Sequence, residues 1–131
     1  MKTSAEQLVA RANAEIVTIP VKEAIAAQDS GRFVMVDLRD VRELTREGQI
    51  PGAVHAPRGM LEFWVDPDCI YHRAVFAQPD KTFVFYCASA WRSALAAKAM
   101  QDMGMENVAH LQGGFSAWKQ QGGPVEEKKK R

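Results

Sequence analysis

Residues 82–93 of this chain read TFVFYCASAWRS and carry the strongest signal for its fold. Thr82 to Tyr86 form a continuous hydrophobic run, which is typical of a strand buried on both faces of a parallel sheet. Cys87 follows, then three small residues, and then a helical pattern that begins near Trp91. A thiol at a strand-to-helix turn faces the N–H groups of a helix N-terminus, which stabilise the thiolate. The segment therefore predicts a buried strand that ends in a reactive cysteine.

The rest of the chain alternates between strand and helix patterns. Short apolar runs predict four more strands, at 16–19, 33–38, 53–56 and 107–111. Helical patterns are found at 4–14, 21–28, 40–47, 91–103 and 115–120, and the irregular stretch 58–79 predicts one short helix and one turn. This order implies right-handed crossovers and an α/β fold, a five-stranded, mostly parallel sheet with helices on both faces. Ligands of such folds bind beyond the carboxyl ends of the strands, where Cys87, Asp37 and Arg39 all lie.

The composition indicates one ordinary globular domain that spans 1–131. A chain of 131 residues fits a single domain, and a formal net charge of +1 argues against nucleic acid or a membrane surface as the main partner. No apolar run approaches the roughly 20 residues that cross a bilayer. The first residues lack the apolar centre of a secretory signal, so we expect a cytoplasmic protein.

The cysteines and histidines do not form a recognisable metal or disulfide pattern. Two cysteines in a reducing compartment do not predict a disulfide framework. The three histidines are scattered along the chain, so we interpret each of them as an ordinary packed or exposed residue and predict no metal site. The basic tail 128–131 is interpreted as a solvated chain end.

The loop from Cys87 to Arg92 has the composition of a thiolate-binding ring. A free thiol titrates near pH 8.5, and a helix N-terminus with a nearby guanidinium favours its ionised form. The small residues Ala88, Ser89 and Ala90 let several backbone N–H groups converge on one point, which makes an anion nest. Related phosphatases and arsenate reductases place five residues between cysteine and arginine, whereas this chain has four. The smaller ring is expected to suit a sulfur atom better than a phosphate.

Four ordered segments resemble the motifs of the rhodanese family, whose single-domain members are thiosulfate sulfurtransferases. These segments are VDLR at 36–39, GQIPGAVHAP at 48–57, YCASAWRS at 86–93 and LQGGFSAW at 111–118. The resemblance covers about residues 15–125, nearly the whole chain. It implies the five-stranded α/β fold described above and no metal or organic cofactor.

The resemblance also implies a double-displacement reaction at Cys87. The thiolate would take the outer sulfur of thiosulfate or a similar donor as a persulfide and pass it to cyanide or a thiol. An alternative is a sulfur-carrier or interaction module that delivers the persulfide sulfur to a protein partner. Neither interpretation involves nucleic acid or a membrane.

Two positions depart from the family pattern. Ala90 stands where the family usually has glycine; if that position needs a positive φ, alanine costs roughly 1 kcal/mol. Gln49 stands where histidine is usual, and we expect that residue to orient a turn with little effect on chemistry.

The charged residues near the loop are assigned supporting roles. We interpret Arg92 as an ion-pair partner of Asp37 that holds the loop in shape; the alternative is contact with an anionic substrate. Arg39 is interpreted as a partner of Glu43, four residues further on, or else as a free cation at the same edge. Arg58 lies in the irregular stretch and is a candidate for attracting thiosulfate.

Four uncharged residues have two alternative interpretations each. Trp91 is either a half-exposed rim that shapes donor access or a packed anchor. Phe63 and Trp64 are interpreted as core residues rather than pocket residues. Cys69 follows a turn and is interpreted as an incidental surface thiol rather than a second sulfur acceptor.

Overall fold

A five-stranded parallel sheet forms the centre of the molecule, which is a computed structural model that describes residues 1–128. The strands are β1 Val17–Ile19, β2 Phe33–Asp37, β3 Val54–His55, β4 Thr82–Tyr86 and β5 Val108–Leu111. The strand order is β1-β5-β4-β2-β3, and every adjacent pair of these strands is parallel. The predicted α/β sheet is therefore confirmed.

Helices cover both faces of this sheet. The helices are α1 Ala5–Glu15, α2 Val21–Ala26, α3 Val41–Glu47, α4 Leu61–Val65, α5 Trp91–Asp102 and α6 Gly114–Gln120. One core cluster packs α1, α4 and α5 against the sheet, and a second core cluster packs α2 and α6 against its other face. Two short 3-10 helices, Arg58–Met60 and Ala74–Phe76, precede and follow α4 in the stretch that the sequence marked as irregular.

The central strand β4 is buried on both sides, as its continuous apolar run predicted. Phe83 and Phe85 belong to the cluster under α5, whereas Val84 and Tyr86 belong to the cluster under α6. Each of these side chains is fully buried, and each large apolar side chain buried in this way contributes about 1.5–3 kcal/mol to stability. The strand thus fixes the position of the residue that follows it, Cys87.

The parallel arrangement brings the ends of β2 and β4 together. Asp37 is the register partner of Tyr86, and the Leu38 N–H donates to the Tyr86 carbonyl at 2.9 Å. Cys87 and the 37–39 segment therefore share one edge of the sheet, as expected. None of the helices in the described part of the chain has the length and apolar character needed to cross a membrane. Of the predicted basic tail, 129–131 lie outside the described residues.

Candidate active site

Cys87 begins a tight loop that the N-terminus of α6 holds from below. The Phe115 N–H donates to the Cys87 carbonyl at 2.8 Å, and the Ser116 N–H donates to the Ala88 carbonyl at 3.1 Å. At Gly114, φ is +66°, and a Cβ would lie 2.6 Å from the Cys87 carbonyl oxygen. Only glycine lets the two segments approach this closely. The Gly-Gly pair of the last sequence motif is therefore a seat for the cysteine loop.

Three backbone N–H groups of the loop have no hydrogen-bond acceptor in the described part of the chain. Among residues 1–128, the backbone N–H groups of Ala88, Ser89 and Ala90 donate to no protein carbonyl or side chain. The helix α5 starts immediately afterwards at Trp91, so its positive N-terminal end adds to the same region. Free N–H groups of this kind are what an anion nest around the sulfur of Cys87 requires, and the nest itself stays a prediction.

Ala90, which stands where the family usually has glycine, has the left-handed conformation. Its φ is +75° and its ψ is 5°, and among the described residues it is the one non-glycine residue with positive φ. A side chain in this region costs about 1–2 kcal/mol relative to the right-handed region. The loop therefore keeps the turn geometry that glycine would allow, and alanine strains it.

Arg92 pairs with Glu43, so the predicted pairing of Arg92 with Asp37 is wrong. Arg92 Nη1 and Nη2 donate to the two Glu43 carboxylate oxygens at 2.8 and 3.0 Å. This hydrogen bond lowers the pKa of Glu43 below its ordinary value. It also raises the pKa of Arg92, and the nearby Cys87 contributes in the same direction. Glu43 reaches the loop because it lies in the first turn of α3, directly after the end of β2.

Arg39 takes Asp37 instead, so the predicted pairing of Arg39 with Glu43 is also wrong. Arg39 Nε and Nη2 donate to Asp37 at 3.0 and 2.7 Å, and Nη2 also donates to the Gly48 carbonyl at 2.8 Å. Both side chains are fully buried. Residues two apart in an extended segment lie on the same side, which explains the choice of partner.

The buried Arg39 guanidinium is linked to the cysteine loop through Phe115. It stacks on the Phe115 ring, with its carbon 4.2 Å from the ring centroid, and Phe115 in turn holds the Cys87 carbonyl. Arg39 Nη1 is buried and has no hydrogen-bond partner within 1–128. The Asp37 carboxylate accepts from Arg39 and neutralises its charge.

Two residues to which the sequence analysis gave no role in the site, Ser93 and His110, continue a chain of contacts from the thiol. The Cys87 thiol donates to Ser93 Oγ at 3.7 Å, and Ser93 Oγ lies 3.0 Å from His110 Nδ1. His110 Nε2 lies 3.2 Å from Thr18 Oγ1. A histidine inside the short apolar strand β5 needs a polar partner when it is buried, and that rule was the available signal. Burial lowers the pKa of His110.

The aromatic residues near the loop are only partly in the core. Trp91 is half exposed, which fits the rim interpretation rather than the packed anchor. Phe63 is also half exposed, so its assignment to the core is wrong; it lies on the outer side of the short helix α4. Trp64 packs against the core cluster, as predicted, and the Arg73 guanidinium lies 4.5 Å from its ring centroid.

Within residues 1–128, the hydrogen bonds of Arg58, Cys69 and Gln49 do not involve Cys87. Arg58 Nη1 donates to Glu62 at 2.7 Å, so its charge is partly compensated. Cys69 is a free, partly exposed thiol in a turn. Gln49 pairs with Glu126 through two backbone hydrogen bonds of 2.9 Å, which fasten the C-terminal segment to the turn after α3. The described residues contain no group of three His, Cys, Asp or Glu side chains that could hold a metal ion.

Comparisons with known proteins agree with this geometry. The family model described as "Rhodanese-like domain" matches residues 20–121. The chain is 32% identical over 104 residues to the "Putative sulfurtransferase YtwF" of Bacillus subtilis, covering 79% of this chain and 88% of that protein. A Rhodopseudomonas palustris structure, described as "Protein of Unknown Function RPA3614, Possible Tyrosine Phosphatase", is 49% identical with a TM-score of 0.92 and covers 96% of both chains.

A Pseudomonas aeruginosa structure extends the likeness of fold. The structure of thiosulfate sulfurtransferase from that organism has a TM-score of 0.79 at 23% identity, and it covers 97% of this chain and 23% of the other. At that identity the likeness concerns the fold alone. The family match spans most of the described residues and includes the cysteine loop, the strands around it and the Gly-Gly seat. The chain belongs to the rhodanese-like domain family.

Proposed function

We propose that this protein is a sulfurtransferase that moves sulfane sulfur from thiosulfate or a similar donor to cyanide or a thiol through a persulfide on Cys87. Membership of the rhodanese-like family and the relatives named as sulfurtransferases support the general role. The observation that carries the proposal is the buried Cys87 sulfur, which begins a loop whose N–H groups are unpaired among residues 1–128.

The proposed reaction has two displacement steps. The Cys87 thiolate attacks the outer sulfur of the donor, the donor S–S bond breaks, and sulfite leaves with the electron pair. The enzyme then holds the sulfur as Cys87–S–S⁻. An acceptor thiolate or cyanide attacks that terminal sulfur, takes it and regenerates the Cys87 thiolate. Negative charge stays on sulfur in both halves, where the loop N–H groups and the α5 N-terminus stabilise it.

Supporting roles follow from the contacts around the loop. We assign Ala88, Ser89, Ala90, Trp91 and Arg92 to persulfide and substrate binding. Arg92 is the charged member of that set, and its side chain is 42% exposed while it is paired with Glu43. Asp37 and Arg39 support the loop through Phe115, and Arg58 remains a proposal for attracting the donor anion. No metal or organic cofactor takes part in the proposed reaction.

Loop size separates sulfur transfer from phosphatase chemistry, the second candidate. The 49% identical structure carries the description "Possible Tyrosine Phosphatase", which gives that alternative a specific basis. Four residues separate Cys87 from Arg92 in this chain, and one of them, Ala90, has the left-handed conformation. A tetrahedral phosphate needs a wider ring than one sulfur atom. We therefore favour sulfur transfer, and hydrolysis of an aryl phosphate by this protein would reverse that choice.

A protein acceptor is the alternative within sulfur transfer. Half-exposed Trp91 and Phe63 would form part of the surface that such a partner contacts. In that case persulfide would form normally, while turnover with cyanide would be slow. A cytoplasmic location remains a prediction from the sequence.

The experiment that tests the proposed function is intact-protein mass spectrometry after treatment with thiosulfate. The wild-type protein and Cys69→Ser are expected to gain the mass of one sulfur atom, and Cys87→Ser is expected to gain none. The added mass should disappear on treatment with cyanide. An unmodified wild-type protein would overturn the proposal, as would equal labelling of Cys87→Ser.

A further inference from the structure

The thiol of Cys87 has no exposed surface, which raises the question of how its proton leaves. Its side chain is fully buried, and so is Ser93, the residue whose oxygen it contacts. A thiol must lose its proton before it can attack a sulfur donor. A buried proton needs a chain of hydrogen-bonding groups that ends in water.

Such a chain leads from Cys87 across β5 to the edge of the sheet. The steps are 3.7 Å from the thiol to Ser93 Oγ, 3.0 Å from there to His110 Nδ1, and 3.2 Å from His110 Nε2 to Thr18 Oγ1. His110 is 2% exposed, whereas Thr18 is solvent-exposed. The path therefore begins at a buried thiol and ends at a solvent-exposed hydroxyl.

The sheet topology holds this path in place. β1 is the edge strand beside β5, and Thr18 is the register partner of His110. Ser93 projects from the first turn of α5, whose start is fixed by the cysteine loop. The backbone of each of these three residues is thus held in a strand or a helix.

We propose that Ser93, His110 and Thr18 carry the Cys87 proton to solvent, and that His110 changes tautomer when Cys87 ionises. This inference rests on the proposed role of Cys87 as the nucleophile. Ser93 contacts the reacting sulfur. His110 and Thr18 act through Ser93 as positioning residues.

The proton inventory of the path balances. With Cys87 as a thiol, S–H donates to Ser93, the Ser93 hydroxyl donates to Nδ1, and Nε2–H donates to the Thr18 oxygen. On ionisation each hydrogen moves one step, and the Thr18 hydroxyl releases one to water. Ser93 then donates to the thiolate, Nδ1–H donates to Ser93, and Thr18 donates to Nε2. The S–H bond breaks, water gains the proton, and His110 is neutral before and after.

The charges around the path fit a neutral imidazole. Burial lowers the pKa of His110, so the ring is neutral near pH 7 and can both accept and donate. Its strand neighbours are Thr18 on β1 and Phe85 on β4, neither of which carries charge at that pH. On the helix side, Ser93 is the contact, and the charged groups that bear on the thiol are Arg92 and its partner Glu43.

The first test is nitrogen NMR of the histidine rings, without a sulfur donor. The ring ¹⁵N shifts distinguish Nδ1–H from Nε2–H, and the thiolate of Cys87 is followed by its ultraviolet absorbance in a Cys69→Ser background. His110 is expected to pass from the Nε2–H to the Nδ1–H form with the same pH midpoint as the thiolate. In Cys87→Ala it should keep the Nε2–H form throughout. A His110 tautomer that does not change as Cys87 ionises would overturn the proposal.

The second test uses the exposed end of the path, where substitution is well tolerated. Thr18→Val suits an edge strand but removes the hydroxyl. It is expected to slow iodoacetamide alkylation of Cys87 near neutral pH by about two- to tenfold, the equivalent of losing one hydrogen bond. The midpoint of the pH profile should move upward, and Thr18→Ser should restore it. Identical profiles for Thr18→Val and Thr18→Ser would contradict the path.

Failure of this inference can be told apart from failure of the proposed function. Neither test contains a sulfur donor or acceptor. A coupled tautomer change in a protein that never forms a persulfide would leave the path intact and refute sulfur transfer. A persulfide on Cys87 with an unchanging His110 would do the reverse.

Discussion

Two bidentate arginine–carboxylate pairs lie at one edge of the sheet, and they differ in burial. Asp37 and Arg39 are both fully buried, with contacts of 2.7 and 3.0 Å. Glu43 and Arg92 make contacts of 2.8 and 3.0 Å, yet their side chains are 20% and 42% exposed. A buried pair holds charges that have no other source of solvation, whereas an exposed pair can exchange its partner for water. We therefore expect the first pair to act mainly on stability, and we propose that the second acts in the chemistry of the loop.

The largest expected effect comes from breaking the buried pair. Asp37→Asn leaves the Arg39 cation without its counter-ion in a fully buried site, so the free energy of unfolding should fall by about 3–5 kcal/mol. Urea denaturation followed by circular dichroism measures this change. Glu23→Gln is the matched control, because it removes a carboxylate from an exposed pair and should change stability by less than about 1 kcal/mol. Equal losses in the two variants would remove the distinction by burial.

The next effect is on rate rather than stability. Arg92→Gln removes a cation that interacts with Cys87 and should slow persulfide formation from thiosulfate by about tenfold, or roughly 1.4 kcal/mol of activation free energy. Its stability should change by less than about 1 kcal/mol. Mass spectrometry of samples quenched at successive times gives the rate of persulfide formation. Arg42→Gln, which removes another exposed and paired arginine, should react like wild type. A large loss of stability without a change in rate would assign Arg92 to the fold.

A smaller effect is expected at Ala90. Ala90→Gly relieves the positive φ but increases the flexibility of the unfolded chain, so the unfolding free energy should rise by no more than about 1 kcal/mol. Ala88→Gly is the matched control in the same loop. Its φ is not positive, so glycine there should lower stability by about 0.5–1 kcal/mol. Thermal unfolding of both variants checks the sign, and destabilisation by Ala90→Gly would show that the left-handed turn carries no strain.

The smallest effect is the pH dependence of the exposed pair. Arg92 lowers the pKa of Glu43 below its ordinary value of 4.5, so the folded protein keeps this carboxylate ionised to a lower pH than the unfolded chain does. The stabilisation is therefore complete above about pH 4.5 and disappears as the pH falls through the lowered value. Relative to Glu43→Gln, wild type should be more stable by about 0.2–1 kcal/mol at neutral pH. Urea midpoints near pH 7 and pH 3 test this, and a difference that grows in acid would have the wrong sign.

The fold and the location of the site could be predicted because they depend on chain-wide patterns. The continuous apolar run of β4 requires burial on both faces, and the alternation of strands and helices requires a parallel sheet. Those two facts place Cys87 and the end of β2 at one edge. The Gly-Gly motif was recognised in the sequence as part of the family resemblance. The reason for glycine there is visible only in three dimensions, because a Cβ on Gly114 would lie 2.6 Å from the Cys87 carbonyl oxygen.

The partners of individual side chains could not be predicted from the same patterns. Sequence places Asp37, Glu43 and two arginines near one edge but does not say which way each side chain points. In the structure Arg39 pairs with Asp37, because the two side chains lie on the same side of the segment. Glu43 faces the start of α5 and pairs with Arg92. The contact of His110 with Ser93 joins residues 17 positions apart on β5 and α5, so only the packing of the helix on the sheet reveals it.

The most direct test of sulfur transfer through Cys87 is a single turnover with donor and acceptor separated in time. The protein is loaded with thiosulfate, freed of the donor by gel filtration, and then mixed with cyanide. Transfer through the persulfide predicts one thiocyanate for each loaded chain and return of Cys87 to its unmodified mass. Thiocyanate that forms only when donor and acceptor are present together would contradict the double displacement, and so would its formation by Cys87→Ser.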